Sequence, residues 1–233
     1  DSYGTELFSR RFVVYTPQVN VPAEVKRARD LKYYDTQQVV QFSINQKDFR
    51  LDNPQVAVKV AVLQNYRWDT AITGLKPQYI IGNELVYRYD RETAFWAGNE
   101  YFYFDSKDIR VAASGIARFT RDRLVGSYLF TNVSRANSVY TYYPDINGDF
   151  LITTVNGANP ANEADYTQVH FALEGKSTFW GKEVYVYGKF SNYELRDEYK
   201  LTYDEKDGLF KGKVLLKQGF YNYKFATKDG RTI

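Results

Sequence analysis

Cysteine is absent from this chain of 233 residues, and with it go disulfides, cysteine-ligated zinc and thiol nucleophiles. That absence leaves the compartment open, since exported proteins also occur without cysteine. Methionine is absent too, the initiator included, which fits a processed or excised piece or a sequence from which modified methionines have been dropped. A single histidine, His170, is the whole supply of imidazole, so a nucleophilic triad would have to use it. It alternates with Tyr166, Gln168 and Ala172 on a polar row, while Val169, Phe171 and Leu173 make the apolar row; an exposed strand histidine fits better than a base. No run approaches the roughly 18 apolar residues of a membrane helix, and no signal-peptide core stands at the front. Charge of one sign is also missing: 31 basic and 28 acidic residues are interspersed to a formal +3, which leaves no footprint for nucleic acid. The densest basic stretch, "VKRARDLK", is interrupted by Asp30 and reads as a solvated loop or strand edge.

What the chain has in excess is aromatic residues, 22 tyrosines and 16 phenylalanines, 18% with tryptophan included. Flat and branched side chains pack well on a pleated surface, so the excess favours strands. Period-two alternation runs through "RRFVVYTP", "QQVVQFSIN", "QVAVKVAVLQN", "NELVYRYDR", "EYFYFDS", "DIRVAAS", "GSYLFTNV", "VYTYYP", "DFLITTV" and "DYTQVHFALEG". Turn signals separate these runs at 52–54, 97–99, 147–149 and 156–162. The one segment with a helix-like start is "PAEVKRARDL", whose Val25, Ala28 and Leu31 make a thin apolar stripe. A shift of composition at 175–181 reads as a joint, after which a compact run of strands suggests a small antiparallel sandwich. In "LKQGFYNYKF", Gly219 allows a bend or bulge, and Tyr221, Tyr223 and Phe225 then fall on one face as an aromatic row closing a core. The expectation is an all-β chain of immunoglobulin-like, early-set antiparallel β-sandwich domains: residues 20–174 as a central domain and 175–233 as a C-terminal one.

Chemistry is sparse. Asp145, Asn147 and Asp149 alternate like calcium ligands, but the glycine falls fourth and no glutamate follows at the twelfth position. Asn147-Gly148 is a strong hairpin signal, so a turn is expected there and no metal site. No nucleophile elbow or phosphate-binding glycine loop occurs, and Glu84, Glu92, Glu100 and Glu163 are candidate glycosidase acids by type alone. The pattern therefore points to a binding protein without a cofactor rather than to an enzyme. Trp68, Trp96 and Trp180 sit in or beside turn-rich segments, where aromatics either cap a core or anchor a partner. The expected contact surface is Tyr66, Arg67, Trp68, Phe95, Trp96, Asn99 and Glu100.

Seven blocks, "SRRFVVY", "LDNPQVAVKVAVLQNYRWDTA", "LVYRYD", "FWAGNEYFYFD", "YYPDINGDF", "EADYTQVHFAL" and the long run from "VYVYGKFSNYELRDEYK" to "NYKF", occur in the order seen in a Bacteroidota family that the chain resembles, the plug proteins of the type 9 secretion system. The resemblance implies a periplasmic, non-enzymatic protein of immunoglobulin-like domains. It would associate with the giant outer-membrane β-barrel translocon, with no span of its own, and occlude the periplasmic opening. It also implies that residues 1–19, around Arg10 to Tyr15, are the last strand of a preceding domain, and that the chain continues beyond Ile233.

Residues 184–230 resemble, more weakly, early-set glycogen-binding modules, with Gly188, Phe190, Asn192 and Tyr193 at the positions of their Gly-x-Phe-Asn-x-Trp turn. This supports an alternative, a carbohydrate-binding module using Trp180 and Tyr193, although a shared fold does not carry a shared ligand. Asp69-Thr70-Ala71 resembles the acceptor that Bacteroidota O-glycosylate on exported proteins.

Overall fold

The computed structural model describes residues 12–46, 51–112, 114–136, 138–155 and 157–228. The protein is all-β, as its aromatic and β-branched alternation requires, and it divides between Ala97 and Gly98 into two units.

The first unit carries strands β1 (Ala23–Arg27), β2 (Gln37–Asn45), β3 (Ala61–Val62), β4 (Ile72–Thr73), β5 (Tyr79–Ile81), β6 (Glu84–Tyr87) and β7 (Ala94–Trp96). Its main sheet runs β1-β2-β6-β5, with β7 also on β2, and β3 pairs β4 separately. Phe42 lies opposite Tyr87 across β2 and β6, and their rings stack at 4.4 Å. Around that pair gather Ile44, Leu75 and Leu85, with Val58, Val60, Val62 and Ile72 packed against them.

The second unit carries β8 (Phe102–Asp105), β9 (Ile116–Arg121), β10 (Val125–Leu129), β11 (Phe150–Ile152), β12 (Tyr166–Glu174), β13 (Val184–Tyr187), β14 (Lys200–Asp204), β15 (Leu209–Lys217) and β16 (Gly219–Thr227). Strand β14 changes partners along its length. Leu201 pairs with β13, whereas Thr202, Tyr203 and Asp204 pair with β15. The ladder thus folds over on itself into a sandwich, with β8, β11, β13 and β16 facing β15, β12, β10 and β9. Phe171 of β12 meets Tyr223 of β16 at 5.1 Å and Phe104 of β8 at 6.0 Å, both edge to face, across the space between the layers. Tyr221, Tyr223 and Phe225 are all buried, so the aromatic row read from the sequence does close this core. Each such burial contributes about 1.5–3 kcal/mol.

The boundary expected at 174/175 is corrected by this topology. Strand β12, at the end of the expected central domain, pairs along its whole length with β15, and β8 pairs with β16. Residues 177–179 form a single 3-10 turn joining β12 to β13 within one sandwich, so the shift of composition marks a loop and not a joint. The ladder is also not purely antiparallel, because β10 and β12 run parallel.

Other expectations change with local physics. The described part of the first expected strand, residues 12–17, is in no strand, and Phe12 and Val14 are each 83% exposed; Arg10 and Arg11 lie outside the described residues. Pro54, with φ preset for a first helical position, starts a single helical turn (Pro54–Ala57) inside the valine alternation, so that run yields only β3 as strand. "AEVKR" is an edge strand rather than a helix. Residues 108–112 and 139–144 are likewise in no strand. Gly219 makes no bulge: its register with β11 is regular, and it is required because a Cβ would press into the Leu151 carbonyl oxygen.

Candidate functional site

In the first unit the loop between β3 and β4 holds two successive left-handed residues, Asn65 (φ 55°) and Tyr66 (φ 58°). That conformation is unusual for a bulky side chain, and it leaves Tyr66 78% exposed. Arg67 grips the Asp69 carboxylate through two nitrogens, at 3.1 and 2.6 Å, and the guanidinium holds that carboxyl below its ordinary range against the opposing effect of burial. The loop is tied to β7 by the Gln64 side-chain amide, which donates to the Trp96 carbonyl at 3.2 Å. Trp96 is 65% exposed and meets the edge of Tyr33 at 6.0 Å; Trp68 is partly exposed beside the same loop. Phe95, the alternate residue of β7, points inward and is buried, so it belongs to the packing and not to the expected contact surface. Thr70 is exposed in the turn.

Asn99 and Glu100 belong to the second unit, where they hold down a long excursion between β10 and β11. The Asn99 amide donates to the Arg135 carbonyl at 2.9 Å, while the Arg135 guanidinium donates to the Glu100 carbonyl and lies 3.8 Å over the Phe102 ring. Burial lowers the pKa of Arg135, opposed by Tyr223, Glu100 and Asp145. The Tyr140 hydroxyl donates to the Glu100 carboxylate, a bond that pushes the phenol up to about 12. Held in this way, the excursion displays Phe130, Val133, Val139, Tyr142 and Tyr143, each more than half exposed. Asn99 and Glu100 are thus clamps, and the apolar surface they support is the part that sequence reasoning missed.

The remaining candidates resolve into structural roles. Asp145 accepts from the backbone N–H groups of Tyr101 and Asn147, both at 2.7 Å, and Asp149 pairs with Lys189. Asn147 and Gly148 both take positive φ, as the turn reading expects, although the following β11 pairs with β16 instead of forming a hairpin. Among the described residues no cluster of acids and histidine could hold a metal ion. His170 stacks on Tyr128 at 4.0 Å, and Arg118 covers the Tyr128 ring at 3.6 Å. These residues lie in one cross-strand row with Lys213, and burial, then Lys213 and Arg118, lowers the imidazole pKa. Trp180 precedes β13 and Tyr193 follows it, so the two proposed sugar platforms flank opposite ends of one strand. Trp180 is exposed, but Tyr193 packs edge-on to Tyr187 and donates to the Asn147 carbonyl.

No family model matches the chain, and no curated protein matches it. Among solved structures it is similar to a hypothetical protein from Parabacteroides merdae, a member of the Bacteroidota, at 32% sequence identity and a TM-score of 0.80. The match covers 92% of this chain and 54% of that one, so this chain spans about half the length of its neighbour.

Proposed function

We propose that the chain is a non-enzymatic binding subunit of the type 9 protein secretion system, held at the periplasmic face of the outer membrane, where it occludes the giant β-barrel translocon. The observation that carries this reading is the display of large aromatic side chains at hydrogen-bonded positions: Tyr66 on the β3–β4 loop and Trp96 at the end of β7 in the first unit, Tyr142 and Tyr143 on the excursion between β10 and β11 in the second. Exposed aromatics grouped in this way mark protein contacts, because their burial releases water at little cost in side-chain entropy. The seven ordered sequence blocks and a structural neighbour from the same bacterial phylum support the choice of partner. A packed β-frame suits the task, since a pore wide enough for folded cargo leaks unless a stiff body fills it. No cofactor is needed for such a role.

The test is affinity purification of the tagged protein from the organism that encodes it, in mild detergent, with mass spectrometry of what is retained. Recovery of the giant barrel is expected, together with an outer membrane that leaks small solutes when the gene is deleted. Retention of glycan-processing proteins without the barrel would overturn the reading in favour of a carbohydrate module.

A further inference from the structure

We propose that the outer face of β9, β10, β12 and β15 binds a linear glycan bearing carboxylates, along the row Arg118, Tyr128, His170 and Lys213. The site is independent of the barrel contacts proposed above and lies in the layer opposite β13, apart from Trp180 and Tyr193. Arg118 pairs with Tyr128, Tyr128 with His170 and His170 with Lys213, which sets the four side chains in one line across the strands. Three strand spacings of about 4.8 Å give that line a length of about 14 Å. The Arg118 guanidinium lies 3.6 Å from the centre of the Tyr128 ring, and the His170 imidazole stacks on the same ring at 4.0 Å. Because β10 lies between β9 and β12, the two cover opposite faces of the phenol. Gly126 lets the rings close up, since a Cβ there would stand 3.1 Å from the Tyr128 ring and 3.6 Å from His170 Nε2.

Every group in the line can donate, and none is answered. Among the described residues Arg118 and Lys213 have no carboxylate partner, and neither the Tyr128 hydroxyl nor the His170 ring is hydrogen-bonded. Lys211, the next lysine on this face, is by contrast bound to Asp204 and Asp207. Around His170 stand Tyr128 and, beyond it, Arg118 on one side, Lys213 with Lys211 and Leu215 diagonally on the other, and Gln168 and Ala172 along its own strand; none is acidic. Burial, then the charges of Lys213 and Arg118, lower the imidazole pKa, so an anion that offsets both cations would raise it.

Charge complementarity makes the occupant an anion, and geometry sets its class. Both faces of Tyr128 are covered, so the row offers no ring on which a base or a neutral sugar could stack. The main chain of β10 and β12 is paired on both sides, so a peptide would gain no ladder there. The adjacent row, Thr120, Gly126, Gln168 and Leu215, is uncharged, which leaves a positive strip one residue wide and too narrow for the plane of an anionic membrane. A linear acidic glycan fits the strip: its carboxylates meet the guanidinium fork, the imidazole and the ammonium, and its hydroxyls meet the phenol and Gln168.

The probe is oligogalacturonate, a linear glycan with a carboxylate on each unit, titrated into the full chain at low ionic strength and followed by calorimetry and by the single imidazole NMR signal of His170. Saturable binding is expected, tightening as pH falls through the imidazole pKa, with that pKa raised by the glycan. Arg118→Gln and Lys213→Gln, both at exposed side chains, should each weaken binding about tenfold, the cost of one charge-assisted hydrogen bond, and leave the thermal melt unchanged. His170→Gln should abolish the pH dependence, and Lys211→Gln should have little effect. Absence of saturable binding, or binding that survives Arg118→Gln and Lys213→Gln together, would overturn the inference. Equal binding of the methyl-esterified, uncharged glycan would also overturn it. A preference for poly-glutamate or for phosphatidylglycerol vesicles over oligogalacturonate would assign the row to a peptide or a membrane and contradict the occupant argued here.

Discussion

The hydroxyl of Tyr223 donates to the side-chain oxygen of Asn132 at 2.7 Å, so a ring in the middle of the second unit's core reaches the base of its exposed excursion. Asn132 is itself bridged to β12, its amide donating to the Ala172 carbonyl and its carbonyl accepting from Glu174. Tyr223→Phe keeps the ring and removes the bond. The expected loss is about 1–3 kcal/mol, the range for leaving a polar group unpaired, and urea unfolding measures it. Tyr223→Ala should cost about 3–5 kcal/mol through the cavity it leaves.

Arg135 holds the same excursion from the other side, over the Phe102 ring and against the Glu100 carbonyl. A lysine has the charge but not the flat surface or the fork of donors. Arg135→Lys should therefore destabilise by about 1–2 kcal/mol, in the range of a partly desolvated cation–π contact. It should also raise amide exchange across residues 130–146 while leaving β12 and β15 unchanged.

Gly219 is fixed by crowding. A side chain there would displace β11, so Gly219→Ala is expected to cost about 1–3 kcal/mol, as overpacking does. Gly82, at φ +58° with open space where its Cβ would stand, needs only a residue that tolerates that conformation. Gly82→Asn should shift stability by about 0.5 kcal/mol or less. Paired urea melts of the two variants separate the causes.

The pH dependence near neutrality should come from His170, the one histidine. Its pKa in the folded protein is lowered, chiefly by burial and then by Lys213 and Arg118, so the unfolded chain binds the proton more readily. Stability is then full above the unfolded pKa of about 6.5 and declines as pH falls through that value toward the folded one. The strongly perturbed carboxyls Asp108 and Glu183, both held down to about 2 by their cationic neighbours, act at far lower pH. Urea midpoints at several values between pH 5 and 8 should fall on the acid side, and His170→Gln should flatten that slope.

Much of the second unit's sandwich was legible in the sequence because β12 alternates along its whole length and Tyr221, Tyr223 and Phe225 of β16 form one aromatic row. The division of the chain was not, since it depends on pairings such as Phe104 with Tyr221 that lie far apart in sequence. A glycine-rich stretch at 175–181 looks the same whether it joins domains or strands. The valine run misled because one proline, Pro54, outweighed four alternating valines. Of the candidate surface, the exposure of Tyr66 and Trp68 follows from their loop and that of Trp96 from the end of β7, whereas Phe95 is buried, as the alternation of its own strand requires. The exposed stretch at 139–143 reads as a strand by composition, yet it lies in no strand, because no backbone hydrogen bond joins it to another described residue, and pairing is what a composition cannot show. Arg135 gave no signal, since its partners Glu100 and Phe102 lie more than 30 residues earlier.

The central claim is that these aromatic surfaces meet the type 9 translocon. Its most direct test is a photo-crosslinking residue placed singly at Tyr66, Trp96 and Tyr142 in living cells, with the trapped partner identified by mass spectrometry. Crosslinks from these positions to the giant barrel, and none from the exposed control Leu215 on β15, are the predicted result. No barrel crosslink from any of the three positions in cells that make the folded protein would contradict the account.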